Sequence, residues 1–219
     1  MSEYLSGVEL VLASGSPRRR RMLEQLGLNF RVAVPAIDES ALAGEEPEAH
    51  AVRLAAEKAR AVAAPEDAVV LAADTVVAHR GDILGKPSDA RDAAAMLRRL
   101  SGCTHRVITG VCILAGAREH LFSVTTEVEF KALTPEEIEH YVRTGEPMDK
   151  AGAYGIQGGA APMVRGSRGS YTNVVGLPLC EVLEGLEEAR KRDGTGPQKS
   201  TKDPEEMDSH KKAQKNQKR

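Results

Sequence analysis

The stretch AVVLAADTVVA, residues 68–78, is apolar or small except at Asp74 and Thr75. A run of this kind reads as a central, buried strand. A carboxylate inside such a strand is costly unless it binds a metal, pairs with a cation or works as a base. The plainer reading is an Asp satisfied near a strand end, but apolar residues flank Asp74 and Thr75 on both sides. Upstream, residues 47–63 are rich in Ala, Leu, Lys and Glu and read as a helix. Downstream, His79-Arg80-Gly81-Asp82 turns the chain into Ile83-Leu84-Gly85-Lys86-Pro87. Ser88 is placed to cap a helix running to about Leu100 and ended by Gly102.

Farther out the pattern continues. Residues 8–13 form a short apolar run, read as a strand, and Ser14-Gly15-Ser16-Pro17 follows. Ser16 suits an N-cap, Pro17 the first helical position and Gly27 the residue past the end, with Met22, Leu23 and Leu26 on one face. Residues 30–34 read as another strand. Toward the C-terminus, residues 104–114 and 120–133 read as long strands. The second alternates at Val124, Thr126, Val128 and Phe130, as an antiparallel strand with one wet face does. Thr134-Pro135-Glu136-Glu137 is a capping box starting a helix to about Thr144. A Gly-rich segment with short strands fills 145–176, and a last helix runs from about Leu179 to about Lys191. Early alternation of strands and helices, then adjacent long strands, gives an α/β class with a central mixed β-sheet flanked by helices.

Composition limits the function. The chain of 219 residues fits one domain or two small lobes around a shared cleft. With 41% hydrophobic and 28% charged residues it is not disordered as a whole. It has no Trp and 3% aromatics, which argues against a platform for stacking single-stranded nucleic acid. The formal net charge is −2, and from Thr195 onward seven Lys/Arg stand against four Asp/Glu, so the body carries −5. An anionic ligand must then be held by local groups rather than by a global field. Residues 1–192 are expected to form the folded domain and 193–219 a disordered polar and basic tail, for want of apolar residues to bury. Cys103, Cys112 and Cys180 are odd in number and form no CxxC pair, as in a reduced cytoplasmic protein. No run reaches transmembrane length and no secretory signal pattern opens the chain, so no membrane is expected.

Several groups can carry chemistry. The strand–turn–helix at Ser14-Gly15-Ser16-Pro17-Arg18-Arg19 offers free N–H groups and a helix dipole to an anion. Arg18 opposes that dipole, a conflict that a ligand would resolve. The bland alternative is a capped helix with a solvated run from Arg18 to Arg21. Asp38-Glu39 is an acidic pair in a loop, ordinarily just solvated, and a ligand pair for Mg²⁺ or Mn²⁺ only in company with Asp74. Lys86 sits in a restrained loop between Gly85 and Pro87. Lys58 lies on a helix, where a solvated face is the simpler expectation. His105 could donate to phosphate or make a structural hydrogen bond. Gln157, among glycines, offers an acceptor and a donor side by side, complementary to a uracil or thymine edge, or is a surface residue of a Gly-rich hairpin.

Together these segments resemble the Maf family of nucleoside triphosphate pyrophosphatases, once described as septum-formation inhibitors. The stretches that carry the resemblance are LASGSPRRRRML (12–23), IDES (37–40), RLAAEKAR (53–60), AADTVVAHRGDILGKP (72–87), LSGCTHRVITGV (100–111), EPMDKAGAYGIQG (146–158) and SYTNVVGLPL (170–179), in order. The resemblance implies two lobes with a nucleotide cleft between them, a homodimer, and divalent-metal-dependent hydrolysis between the α- and β-phosphates. It implies Asp74 as the proton-accepting catalytic residue, and Arg18, Thr75 and Gln157 at positions that separate substrate classes. Glu39, Lys58 and Lys86 fall on charged positions lining the triphosphate cleft, with Ser14 beside them. AADTVV and DKAGAYGIQG look like the dTTP/UTP subfamily rather than its sister acting on 7-methyl-GTP.

The expected reaction is hydrolysis of dTTP and UTP to the monophosphate and pyrophosphate. Glu39 and Asp74 are the expected metal ligands. Modified pyrimidine nucleotides, a 7-methyl-GTP-type activity and a non-catalytic nucleotide-binding regulator of cell division are the alternatives. Nucleic-acid binding through Arg18 to Arg21 and the tail fits poorly with an acidic body.

Overall fold

The computed structural model describes residues 9–65 and 67–192, and only the backbone of 190–192. The expected tail at 193–219, and Val8 of the first strand, lie outside the described residues. The expected central strand is β3, Val69–His79, buried along its length except at half-buried Thr75. One of its edges pairs without a break to antiparallel β5, Thr104–Ala115, from Val69 opposite Ala115 to Ala78 opposite Arg106. The other edge is shared. Parallel β1, Leu10–Ala13, covers Val69 through Ala72, and antiparallel β4, Asp82–Leu84, covers Val77 through His79. Between those ladders, Ala73 to Val76 face no strand among the described residues. Asp74 and Thr75 therefore sit where the sheet is split.

Among the described residues the sheet has seven strands. Two-residue β2, Arg31–Val32, lies parallel to β1 at one edge. The long hairpin of β5 with β6, Arg118–Phe130, leads to β7, Val164–Arg168, at the other. This is the mixed α/β sheet expected from the sequence. Period-two alternation sends Val70, Ala72, Asp74, Val76 and Ala78 to one face. There α2, Pro47–Arg60, packs through Ala51, Ala55 and Ala59. Small side chains bring this helix close. A Cβ on Gly110, opposite Asp74, would run into the backbone of Ala51.

The other face carries two cores. Leu10, Leu12, Leu71 and Ala73 pack with Met22 and Leu23 of α1, Pro17–Gln25, and with Val182 and Leu186 of α6, Leu179–Arg192. Val77, Val107 and Phe130 pack with Leu97 of α3, Ala90–Leu100, and Ile138 and Tyr141 of α4, Pro135–Arg143. Thr75 falls between Ala73 of one core and Val77 of the other, so these two lobes meet at the split in β3.

Some boundaries move. The α3 cap is Asp89, whose Oδ1 accepts from Asp92 N at 2.8 Å. Ser88 bonds the Asp92 carboxylate instead. The Thr134–Glu137 capping box forms as read. The Gly-rich segment holds three short 3-10 turns and one strand. It also holds a short helix that no local pattern in the sequence marks, α5, Tyr171–Val175, capped by Ser170. Fully buried Asn173 ties α5 to the sheet by donating to Val107 O and Thr126 Oγ1, both at 3.0 Å. No described helix is long and apolar enough to cross a membrane.

Candidate active site

A cleft of about 1020 Å³ opens over the uncovered edge of β3. Ser14, Arg18, Glu39, Lys58, Asp74, Thr75, Lys86 and Gln157 all line it. Residues from the β1–α1 turn, the Glu39 loop, α2, β3, the Lys86 loop and the Gly-rich segment thus converge on one space.

The charged centre follows from the alternation of β3. Asp74 faces α2, and Lys58 near the C-terminal end of that helix reaches it, Nζ to Oδ1 at 2.6 Å. The same Nζ lies 2.6 Å from Glu39 Oε1, and Lys86 Nζ donates to Glu39 Oε2 at 3.3 Å. Lys58 is 7% exposed and Asp74 8%. The solvated face expected for Lys58 is not what forms, because Ala51, Leu54, Ala55 and Lys58 lie on one buried stripe of α2 at i, i+3, i+4 and i+7. Burial pushes the Glu39 carboxyl up, but Lys58 and then Lys86 outweigh it and hold Glu39 below the usual carboxylate range. The acidic loop pair splits: Asp38 is exposed and caps its own turn through Ser40 N and Oγ.

A metal can be tested against this donor set. Among the described residues no three His, Cys, Asp or Glu side chains cluster. Two carboxylates, Glu39 and Asp74, do converge on one point, bridged by the Lys58 ammonium. Hard oxygen donors in that number suit Mg²⁺ or Mn²⁺ taken together with waters and phosphate oxygens, not a closed protein cage. The pair fits such an ion.

The basic run also divides. Arg19, read as part of a solvated run, is 8% exposed. Its Nε donates to Gly176 O at 2.7 Å, Nη1 to Ser14 Oγ at 3.2 Å and Nη2 to Thr75 Oγ1 at 2.9 Å. Thr75 Oγ1 also lies 2.9 Å from Thr109 Oγ1. One guanidinium therefore fastens the β1–α1 turn, the open edge of β3 and the end of α5. Burial lowers the Arg19 pKa, with the charge of Asp74 opposing. Spacing carried the signal for this residue, since Arg19 precedes Met22 and Leu23 by three and four positions and shares their inward face. Arg18 reaches across the cleft to Asp149, Nη1 to Oδ2 at 3.0 Å, while Arg20 pairs with Glu24 along the helix. Ser16 caps α1 and Pro17 opens it, as read.

Gln157 stands exposed in a tight turn closed by Gly158 N to Gly155 O at 3.0 Å. Its amide has no hydrogen-bond partner among the described residues, so both its donor and its acceptor face the cleft unspent. His105 is excluded from phosphate contact. It is 2% exposed and bonded through Nε2 to Tyr154 Oη at 2.8 Å, and burial, then the neighbouring His79, holds its pKa down to about 4. The three cysteines are free.

The model of the family described as Maf-like protein matches residues 9–189. A dTTP/UTP pyrophosphatase of Geobacter sp. (strain M21) is 56% identical over 81% of this chain and 93% of its own length. One from Myxococcus xanthus is 55% identical over 82% of this chain and 92% of its own. Among solved structures, the Staphylococcus aureus Ham1 protein is 14% identical over 82% of this chain and 98% of its own, with a TM-score of 0.46.

Proposed function

The chain belongs to the Maf-like family, and on that premise we propose that it hydrolyses dTTP and UTP to the nucleoside monophosphate and pyrophosphate. The observation that carries the reading is Asp74 at the split in β3, bonded to Lys58 at 2.6 Å, with Glu39 on the same ammonium. A carboxylate so placed is held ready in a cleft, with Oδ2 free of hydrogen bonds among the described residues. In the proposed step water attacks the α-phosphorus, Asp74 takes the proton of that water, and the bond to the bridging oxygen breaks to release pyrophosphate. Lys58, Lys86, Arg18 and the α1 N-terminus beside Ser14 hold the triphosphate.

Glu39 and Asp74 would hold Mg²⁺ or Mn²⁺, whose charge stabilises the transferring phosphoryl group. Gln157 and Thr75 read the pyrimidine edge, a wrong base leaving polar groups unpaired. A homodimer is proposed from the family resemblance, and a cytoplasmic setting from the odd, unpaired cysteines.

A panel of common nucleotides and 7-methyl-GTP, each with Mg²⁺ or Mn²⁺, tests the reading. Turnover of dTTP and UTP well above CTP and the purines is expected. Asp74→Asn should lower kcat by about a hundredfold to ten-thousandfold while the protein stays folded. Near-normal turnover in that variant would remove Asp74 as the base, and turnover of 7-methyl-GTP alone would overturn the base reading.

A further inference from the structure

The turn that carries Gln157 is held from beneath at both ends. Gly155 N donates to Tyr141 Oη at 3.1 Å, Tyr141 Oη donates to Glu146 Oε1 at 3.1 Å, and Gly159 N donates to Glu146 Oε2 at 2.9 Å. One oxygen of the Glu146 carboxylate thus holds the Gly159 flank directly, and the other holds the Gly155 flank through Tyr141. The glycines there leave room for this cradle. A Cβ on Gly158 would overlap the Glu146 carboxylate, and one on Gly159 would press on that carboxylate and the Tyr141 ring. Tyr141 is 2% exposed and sits in the core beside α3, so the cradle is anchored to the lobe rather than to the loop. Glu146 is also joined to the opposite wall of the cleft. Its backbone carbonyl accepts from Lys150 Nζ at 2.6 Å, the same Nζ bonds Asp149 Oδ1, and Asp149 takes Arg18. Arg18 and Gln157 therefore hang on one hydrogen-bonded frame.

We propose that Glu146, acting with Tyr141, is a positioning residue for base selection: it fixes the turn so that the Gln157 amide meets the base at one height and angle. The inference rests on the reading of Gln157 given above. A side chain in an exposed, glycine-flanked turn has many orientations, and reading a base edge needs one of them. The cradle supplies the restraint that the glycines remove.

The test compares kcat/KM for dTTP and dCTP in the wild type and in Tyr141→Phe, Glu146→Ala, Glu146→Gln, Gln157→Ala and the double variant Glu146→Ala/Gln157→Ala. The dTTP preference should fall about tenfold in Glu146→Ala, chiefly through a higher KM for dTTP. Glu146→Gln should recover part of it, since the amide oxygen still accepts from Gly159 N. The double variant should be no less selective than Gln157→Ala, because two residues acting through one amide do not add.

Loss of both nucleotides in parallel, or selectivity losses that multiply in the double variant, would overturn the proposal. If Glu146→Ala does not fold, Tyr141→Phe, which removes a single hydroxyl, carries the same comparison. A Gln157→Ala preference equal to wild type would defeat the base reading itself, and this inference with it.

Discussion

Lys58 is the residue on which the charged centre turns. Its ammonium is buried between Glu39 and Asp74, so removing it strands a carboxylate rather than merely breaking a surface pair. Lys58→Met should destabilise the fold by about 1–3 kcal/mol, at the lower end because water in the cleft reaches Asp74. Adding Asp74→Asn to Lys58→Met should return part of that stability, as urea unfolding of both variants would reveal. Helical spacing carried a signal for Arg19 and Lys58, but a lone charge on a helix reads first as solvated, and both are buried. What decides the matter is a partner on another element, and no local pattern names it. His105 makes a pH prediction. Burial, then His79, holds it at about 4 against an ordinary 6.5. The folded protein therefore binds that proton later than the unfolded chain does. Stability from this group is whole above about pH 6.5 and is lost as pH falls toward about 4, by up to about 3 kcal/mol. Unfolding curves from neutral to mildly acidic pH should be flatter for His105→Gln; equal slopes would exclude His105 as the source.

Among the elements, α2 and β3 do most to build the site, and Gly110 sets their distance. Gly110→Ala should cost about 1–3 kcal/mol by forcing α2 off the sheet. It should also lower kcat/KM by separating Lys58 from Asp74. Gly166→Ala, where an added Cβ meets nothing within 4 Å, should change melting little and serves as the comparison. Elements with a strong period or cap were legible: β3, the β5–β6 hairpin, α4 with its capping box and the strand–turn–helix at Ser16. Weak ones were legible only in part. The strand read over residues 30–34 forms, but over two of them alone, and α5, absent from the sequence pattern, owes its place to Asn173 bonding the sheet, a long-range contact. Ser88 and Asp89 are both good caps, and only the bond from Asp92 N selects between them.

At the scale of the molecule, the site exists because β1 and β4 share one edge of β3 and leave Ala73 to Val76 uncovered. The mixed sheet could be read from the order of strands and helices. That two strands from opposite sides of β3 in the sequence meet the same edge could not, because pairing is settled by packing of whole layers. The consequence is a cleft between two cores with Asp74 and Thr75 on its floor, reached by α1, α2, the Glu39 loop and the Gln157 turn. Under the proposed function, such an arrangement would serve attack on one phosphorus of an extended triphosphate, with the base at one end and the leaving pyrophosphate at the other. Running the reaction on dTTP in water labelled with heavy oxygen, and locating the label in the products, examines that claim most directly. Label is expected in dTMP and none in pyrophosphate, with no orthophosphate released. Label in pyrophosphate, or release of orthophosphate, would place the attack at another phosphorus and contradict it.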